Sequence, residues 1–206
     1  MATGGAENLP FEALVLAAGA GSRFGGGKLL APWRGGVLLD GALAAAFAAP
    51  VRLVTVVTGA DAERVAAAAR EFAARAGQGA RLRITHAADH AEGLSASLRT
   101  GAGTLPADAA GVFVLLGDMP RVPHAVLRPL ADAVQAGAAA AAPVFAGRRG
   151  NPVLLGAALI PKLANLTGDQ GARPLIQALG TALALVDSPD NGVLFDVDER
   201  ADLAND

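Results

Sequence analysis

Residues 14–30 read Leu-Val-Leu-Ala-Ala-Gly-Ala-Gly-Ser-Arg-Phe-Gly-Gly-Gly-Lys-Leu-Leu. The apolar run from Ala13 to Ala17 predicts a strand, and it feeds straight into a glycine-rich loop that carries two cations, Arg23 and Lys28. Glycines let backbone N–H groups turn inward and approach a ligand closely. Such a nest suits phosphate, and two fixed cations match a polyphosphate. Open α/β sheets bind ligands at the carboxyl ends of their strands, and this loop stands at such an end.

Two phosphate loops of known spacing fit poorly. A P-loop needs Gly, four residues, then Gly-Lys-Ser/Thr. Here Ser22 takes the first-glycine position and Leu29 follows Lys28. A dinucleotide fingerprint needs Gly-x-Gly-x-x-Gly. Gly19 and Gly21 satisfy its first two positions, but Phe24 occupies the third. Asp40 stands where a ribose-binding acid is expected, so an NAD(P)-binding oxidoreductase stays open as a rival.

Outward from the loop, apolar runs alternate with alanine-rich helical stretches. Strands are expected at 12–17, 51–58, 81–85, 111–116, 138–144, 152–155, 182–187 and 193–197, and helices at 37–49, 61–76, 93–103, 123–136, 157–165 and 171–180. Asp61 is placed to cap the second helix, and Gly77 to end it. The alternation predicts an α/β chain with a mostly parallel, doubly wound sheet. Residues 143–155 break the pattern with two short runs around a glycine-containing turn, which predicts a late antiparallel element. No linker or repeat divides residues 11–206, which read as one domain. Residues 1–10 lack a signal-peptide layout and read as a disordered leader or a cloning remnant.

Composition narrows the function. The 206 residues carry a net charge of −2 and no basic block, which disfavours nucleic acid or an anionic membrane as the main partner. Cysteine is absent, so thiolate chemistry is excluded, in keeping with a cytoplasmic location. Apolar content is 52%, yet charged residues, Gly or Pro interrupt every run short of a membrane span. His86, His90 and His124 lack metal-ligand spacing and read as surface or loop residues.

The opening segment resembles the signature of the nucleotidyltransferases related to molybdenum cofactor biosynthesis, the MobA-like family: Leu-Ala-Ala-Gly-x-x-x-Arg-x-Gly with a lysine shortly after. Four further stretches match that family in order: Glu92 to Leu98, Gly117-Asp118-Met119-Pro120, Leu166 to Arg173, and Phe195-Asp196-Val197-Asp198. Together they cover about Phe11 to Leu203. The resemblance implies a Rossmann-like fold of the nucleotide-diphospho-sugar transferase kind. It also implies transfer of a nucleotidyl group from a nucleoside triphosphate to a molybdopterin-type acceptor. Ala18, with Leu29-Leu30-Ala31-Pro32-Trp33 following, resembles the branch that uses CTP. GTP, or a sugar or alcohol phosphate as acceptor, is the nearest rival, and a catalytically silent nucleotide binder is another. The implied partners include a molybdoenzyme client or maturation factor.

The resemblance also assigns roles. Ala17, Ala18, Gly19, Ala20, Gly21, Ser22, Arg23 and Lys28 would bind the nucleotide, with Arg23 and Lys28 on the leaving pyrophosphate. Their alternative is that of solvated loop cations. Asp118 follows the apolar run Val112–Leu116 after one glycine. A carboxylate there can hold Mg²⁺, with Mn²⁺ as a substitute, or merely open a turn before Pro120. Asp198 is the expected second ligand and Asp196 the fallback. Period two puts both on one face, and either could instead cap a terminal helix. Glu199 stands where the family usually has Thr.

Gly93 and Ser97 would meet the base, while Ser95 could be the N-cap of its helix. Asn151 and Arg173 are the acceptor-binding candidates. Asn151 replaces a histidine common in the family, and Arg173 could equally be a helix-surface cation.

Overall fold

Side chains in the first apolar run divide alternately between two cores, and that division sets the layers. A computed structural model describes residues 11–204, so the expected leader at 1–10 lies outside the described residues. In chain order the strands are β1 (Phe11–Ala17), β2 (Pro32–Trp33), β3 (Gly36–Val37), β4 (Val51–Thr58), β5 (Leu82–His86), β6 (Gly111–Leu116), β7 (Ala140–Phe145), β8 (Arg148–Arg149), β9 (Val153–Gly156) and β10 (Leu183–Asp187). The helices are α1 (Leu38–Ala48), α2 (Ala62–Arg75), α3 (Leu94–Ala102), α4 (Leu127–Gln135), α5 (Ile160–Leu163) and α6 (Arg173–Gln177).

Along β1, Ala13, Val15 and Ala17 face a core shared with α1, α2 and α4. Leu14 and Leu16 face the opposite core, shared with α3, α5 and α6. Burial on both faces is why β1 from Ala13 onward and β6 read as unbroken apolar runs rather than alternating ones. Leu14, Phe113 and Leu98 are wholly buried. Truncation of such a leucine to alanine costs about 2–5 kcal/mol.

The main sheet runs β10-β7-β9-β6-β1-β4-β5, with β8 hydrogen-bonded to β7. β1 pairs in parallel with both β4 and β6, as does β4 with β5 and β7 with β10. β9 runs antiparallel between β6 and β7, and β8 folds back on β7 through Ala146 and Gly147. The late antiparallel element is therefore present, built from β8 and β9. The chain leaves β1 toward β4 and β5, then returns to place β6 on the other side of β1. Such a reversal opens a crevice between the carboxyl ends of β1 and β6.

Several expectations require correction. Residues 193–197 form no strand: Asn191–Leu194 is a 3-10 turn, followed by an extended segment. That segment is held by long-range bonds instead of a ladder, from the Asn151 N–H to the Val193 carbonyl and from the Val197 N–H to the Asp118 carbonyl. The helices expected at 157–165 and 171–180 shrink to α5 and α6, each with a proline in its first turn. Asp61 occupies the N-cap position of α2, but its side chain makes no capping bond. Ser95 does not cap α3; the N-cap is Gly93.

Candidate active site

The crevice is built first from β1 and β6. The Gly117 N–H donates to the Leu16 carbonyl at 2.9 Å, which fixes Asp118 two residues beyond the end of β6. From the end of β1 the loop turns through Gly21, whose φ of 60° is left-handed. A Cβ at Gly21 would stand 2.9 Å from the Lys28 Cβ, so the close approach of the two loop ends needs glycine. Phe24 is buried beneath the loop while Arg23 beside it is 77% exposed. Lys28 is turned inward and only 13% exposed.

A small third core anchors this loop. Phe24, Ala31, Trp33, Leu38 and Val197 pack together, with Phe195 and Leu203 at its edge. Trp33 is thus a packing residue of this core. The cluster ties the glycine loop to the C-terminal segment: Phe24 neighbours Arg23, and Val197 lies between Asp196 and Asp198. Packing Val197, and in part Phe195, into this core turns Asp196 and Asp198 the other way, so their shared face survives without strand pairing. Asp196 and Asp198 both line the cavity over the loop.

The charges then meet. Lys28 Nζ donates to Asp118 Oδ2 at 2.7 Å and lies 3.6 Å from Asp198 Oδ1. Arg23 reaches Asp198 Oδ2 at 3.7 Å. Asp202 Oδ2 accepts the backbone N–H groups of Asp198 and Glu199 at 2.9 and 2.8 Å. Those two bonds, that of Glu199 foremost, hold the Asp202 carboxyl below its ordinary range. Burial pushes the Asp196 carboxyl up, and the charges of Asp118 and Asp198 add to the shift.

On the other side of the crevice stands α3. The Asp169 carboxylate accepts the Leu94 N–H at 3.0 Å, and the Gly168 carbonyl accepts the Ser95 N–H at 3.2 Å. The helix start is therefore capped by a loop 75 residues away. Gly93, with φ 110°, has no room for a side chain, since a Cβ would lie 2.9 Å from the Gly168 carbonyl oxygen. Ser95 Oγ donates to the Thr167 carbonyl at 3.0 Å.

The resulting cavity is about 720 Å³. Ala17 to Ser22, Lys28, Gly93, Ser97, Asp118 and Asp198 all line it, as do His90 and Asp169. A second compartment of about 270 Å³ is lined by Arg149, Asn151, Gln170 and Arg173. Leu16, Leu94, Leu116 and Asp169 border both, so the two spaces adjoin. Asp40 borders neither. It accepts the Val37 N–H and pairs with Arg75 at 2.9 Å in a separate groove beside Trp33 and Phe72, which removes it as a ribose-binding acid.

Comparison with known proteins accords with this geometry. The profile of the MobA-like NTP transferase domain matches residues 13–183. The chain belongs to the MobA-like NTP transferase family. Nicotine blue oxidoreductase of Paenarthrobacter nicotinovorans is 30% identical over 198 residues, 90% of each chain. Rv0371c of Mycobacterium tuberculosis H37Rv superimposes with a TM-score of 0.79 at 26% identity, over 95% of this chain and 96% of that one. The same protein has been solved as a manganese complex. A nucleotidyl transferase from Methanothermobacter thermautotroptrophicus gives a TM-score of 0.72 at 25% identity, over 95% and 94% of the two chains. By family and fold this chain is a nucleotidyltransferase.

In this MobA-like transferase, Asp118 and Asp198 offer hard oxygen donors on either side of Lys28. Among the described residues no group of three or more His, Cys, Asp and Glu is set to hold a metal ion. Mg²⁺ bound with a nucleotide takes only one or two carboxylates and completes its shell with phosphate oxygens and water, so a carboxylate pair suffices. Burial raises the Asp196 carboxyl first and the charges of Asp118 and Asp198 add to it, a repulsion that a cation bound here would relieve.

Sequence reading missed His90, Asp169 and Arg149. Asp169 sits inside a recognised motif, but nothing local signals that it caps α3. Among the described residues, no helix is long and apolar enough to cross a membrane.

Proposed function

We propose that this protein transfers CMP from CTP to the terminal phosphate of a molybdopterin-type acceptor and releases pyrophosphate. The observation that carries the reading is the inward Lys28, held between Asp118 and Asp198 at one side of a cavity that adjoins a second, arginine-bearing compartment.

The glycine loop from Ala17 to Ser22 cradles the triphosphate. Ser97 and the backbone at Gly93 meet the base. Arg149, Asn151 and Arg173 orient the acceptor phosphate in the adjoining compartment. An acceptor phosphate oxygen forms a bond to the α-phosphorus as the α–β bridging bond breaks, and pyrophosphate leaves. The acceptor is already anionic, so no side-chain nucleophile is required, and positioning with charge neutralisation carries the catalysis. Lys28 and Arg23 balance the charge that grows on the leaving group. Mg²⁺, or Mn²⁺ in its place, would be held by Asp118 and Asp198 and would supply Lewis-acid neutralisation of phosphate charge.

The CTP assignment is supported by Ala18 and the Leu29–Trp33 continuation, and the molybdopterin assignment by the five ordered motifs. The reaction would be cytoplasmic and would feed a molybdoenzyme or its maturation factor.

One comparison favours a second reading. The relative from Paenarthrobacter nicotinovorans is named an oxidoreductase. The same cavity would then hold a nicotinamide dinucleotide, with Gly19 and Gly21 on its pyrophosphate. Pyrophosphate release measured with each of four nucleoside triphosphates, with and without molybdopterin, tests the first reading; titration with NAD(P)H tests the second. Release from CTP only when molybdopterin is present supports the transferase. Tight NAD(P)H binding without any pyrophosphate release supports the oxidoreductase.

A further inference from the structure

His90 lies in a 3-10 turn (His90–Glu92) between β5 and α3, and it lines the larger cavity together with Gly93 and Ser97. Its Nδ1 is 3.0 Å from the Ala87 carbonyl oxygen. A carbonyl oxygen only accepts, so Nδ1 carries the proton and donates it. In the neutral ring that fixes the tautomer and leaves Nε2 with a lone pair and no proton. The nitrogen left for a ligand is therefore an acceptor.

The turn that holds the ring is braced. Arg99 donates to Asp89 at 2.7 Å, to Glu92 at 3.1 Å and to the Leu166 carbonyl at 2.7 Å. The His90 N–H returns to the Ala87 carbonyl, and the Gly93 N–H to the His90 carbonyl. The ring centre of His86 lies 6.1 Å away. A ring held by one hydrogen bond on a turn braced at several points is pre-organised for recognition.

Topology says which part of a nucleotide it meets. Lys28 and Asp118 follow β1 and β6, whereas His90 follows β5, on the far side of β1 from β6. The triphosphate belongs with the cation and the acids. The base then extends across the end of β1 toward β4 and β5.

We infer that His90 reads the nucleobase, its Nε2 accepting a hydrogen bond from an exocyclic amine such as the 4-amino group of cytosine. The inference rests on the nucleotide-binding reading above. Uracil presents a carbonyl at the same position. Two acceptors would then face each other and both would go unpaired, a mismatch worth on the order of tenfold in affinity. His90 thus separates amino from oxo bases.

The test is calorimetric titration of the full chain with CTP, UTP and GTP, each with excess Mg²⁺, for wild type, His90→Phe and His90→Gln. Phe keeps an aromatic ring without an acceptor; Gln offers either an acceptor or a donor. Wild type is expected to bind CTP about tenfold more tightly than UTP, and both variants to bring the two within about twofold. Two variants of different shape guard against one failing to fold. A CTP preference unchanged in the variants overturns the role of His90 and leaves the cytidylyl reading standing. A wild type that binds neither nucleotide, or binds GTP more tightly than CTP, overturns both.

Discussion

Lys28 and Asp118 stand 90 residues apart in sequence, and their side chains meet at 2.7 Å. One follows β1 and the other β6, and parallel pairing of those strands brings their carboxyl ends together. The contact is thus a direct product of sheet order. It also presets the site: in the free protein the lysine is held by the carboxylate that would share the nucleotide with it.

Replacing Lys28 tests whether that cation works on the leaving group. Lys28→Ala is expected to lower turnover at least about a hundredfold, the scale for loss of one preorganised group that stabilises growing charge. Thermal stability should fall by only a few degrees, because the side chain borders an open cavity. Near-normal turnover with unchanged melting would make Lys28 an ordinary loop cation.

Asp196 gives a pH prediction. Its carboxyl titrates above its ordinary value because of burial first, then of Asp118 and Asp198. A raised acid destabilises the folded state once it ionises, and the penalty is relieved as pH falls through the raised value toward the ordinary one near 4. Asp196→Asn should therefore raise the melting temperature of the nucleotide-free protein at pH 7, with the gain shrinking toward pH 4. Melting curves of both proteins across that range decide it. In activity, Asp196→Asn should matter less than Asp198→Asn.

Asp202 shifts the opposite way. It accepts the N–H groups of Glu199 and Asp198, and its carboxyl is held down. A depressed acid contributes stability above its ordinary value and loses it as pH falls through the lowered one, so this support is intact at neutral pH. Asp202→Ala should raise the Mg²⁺ concentration needed for half-maximal activity by loosening Asp198. Asp202→Asn keeps an acceptor oxygen and should restore most of the wild-type value. Equal behaviour of the two variants would deny Asp202 any part in placing Asp198.

Much of this was legible because the signals are local. The Ala13–Ala17 run is followed directly by its glycines, and the Val112–Leu116 run is followed after one glycine by Asp118, so each half of the site can be read from one short stretch. The failures have a common cause in long-range pairing. Val193 to Val197 alternates like a strand, yet its partners are single bonds to Asn151 and Asp118. Ser95 has the chemistry of a cap, yet its hydroxyl serves Thr167, and Asp169 bonds the first helical N–H in its place. His90 has no spacing that marks it, and only the turn after β5 brings it to the cavity.

The adjoining compartment predicts a split in kinetic effect. Arg173→Ala should raise KM for the phosphorylated acceptor while leaving that for CTP within about twofold, since Arg173 lines only the smaller space. Steady-state kinetics with each substrate varied in turn will show it. Equal weakening of both substrates would merge the compartments into one site.

The central claim is that Asp118 and Lys28 carry metal-dependent nucleotidyl transfer. The most direct measurement is pyrophosphate release from CTP and molybdopterin by wild type and Asp118→Asn, each with Mg²⁺ and with excess chelator. Asp118→Asn keeps the side chain's size and removes its charge. The account predicts rapid release only for wild type with Mg²⁺, and collapse in the variant although it melts as a folded protein. Full wild-type activity in chelator, or an Asp118→Asn protein as active as wild type, would contradict it.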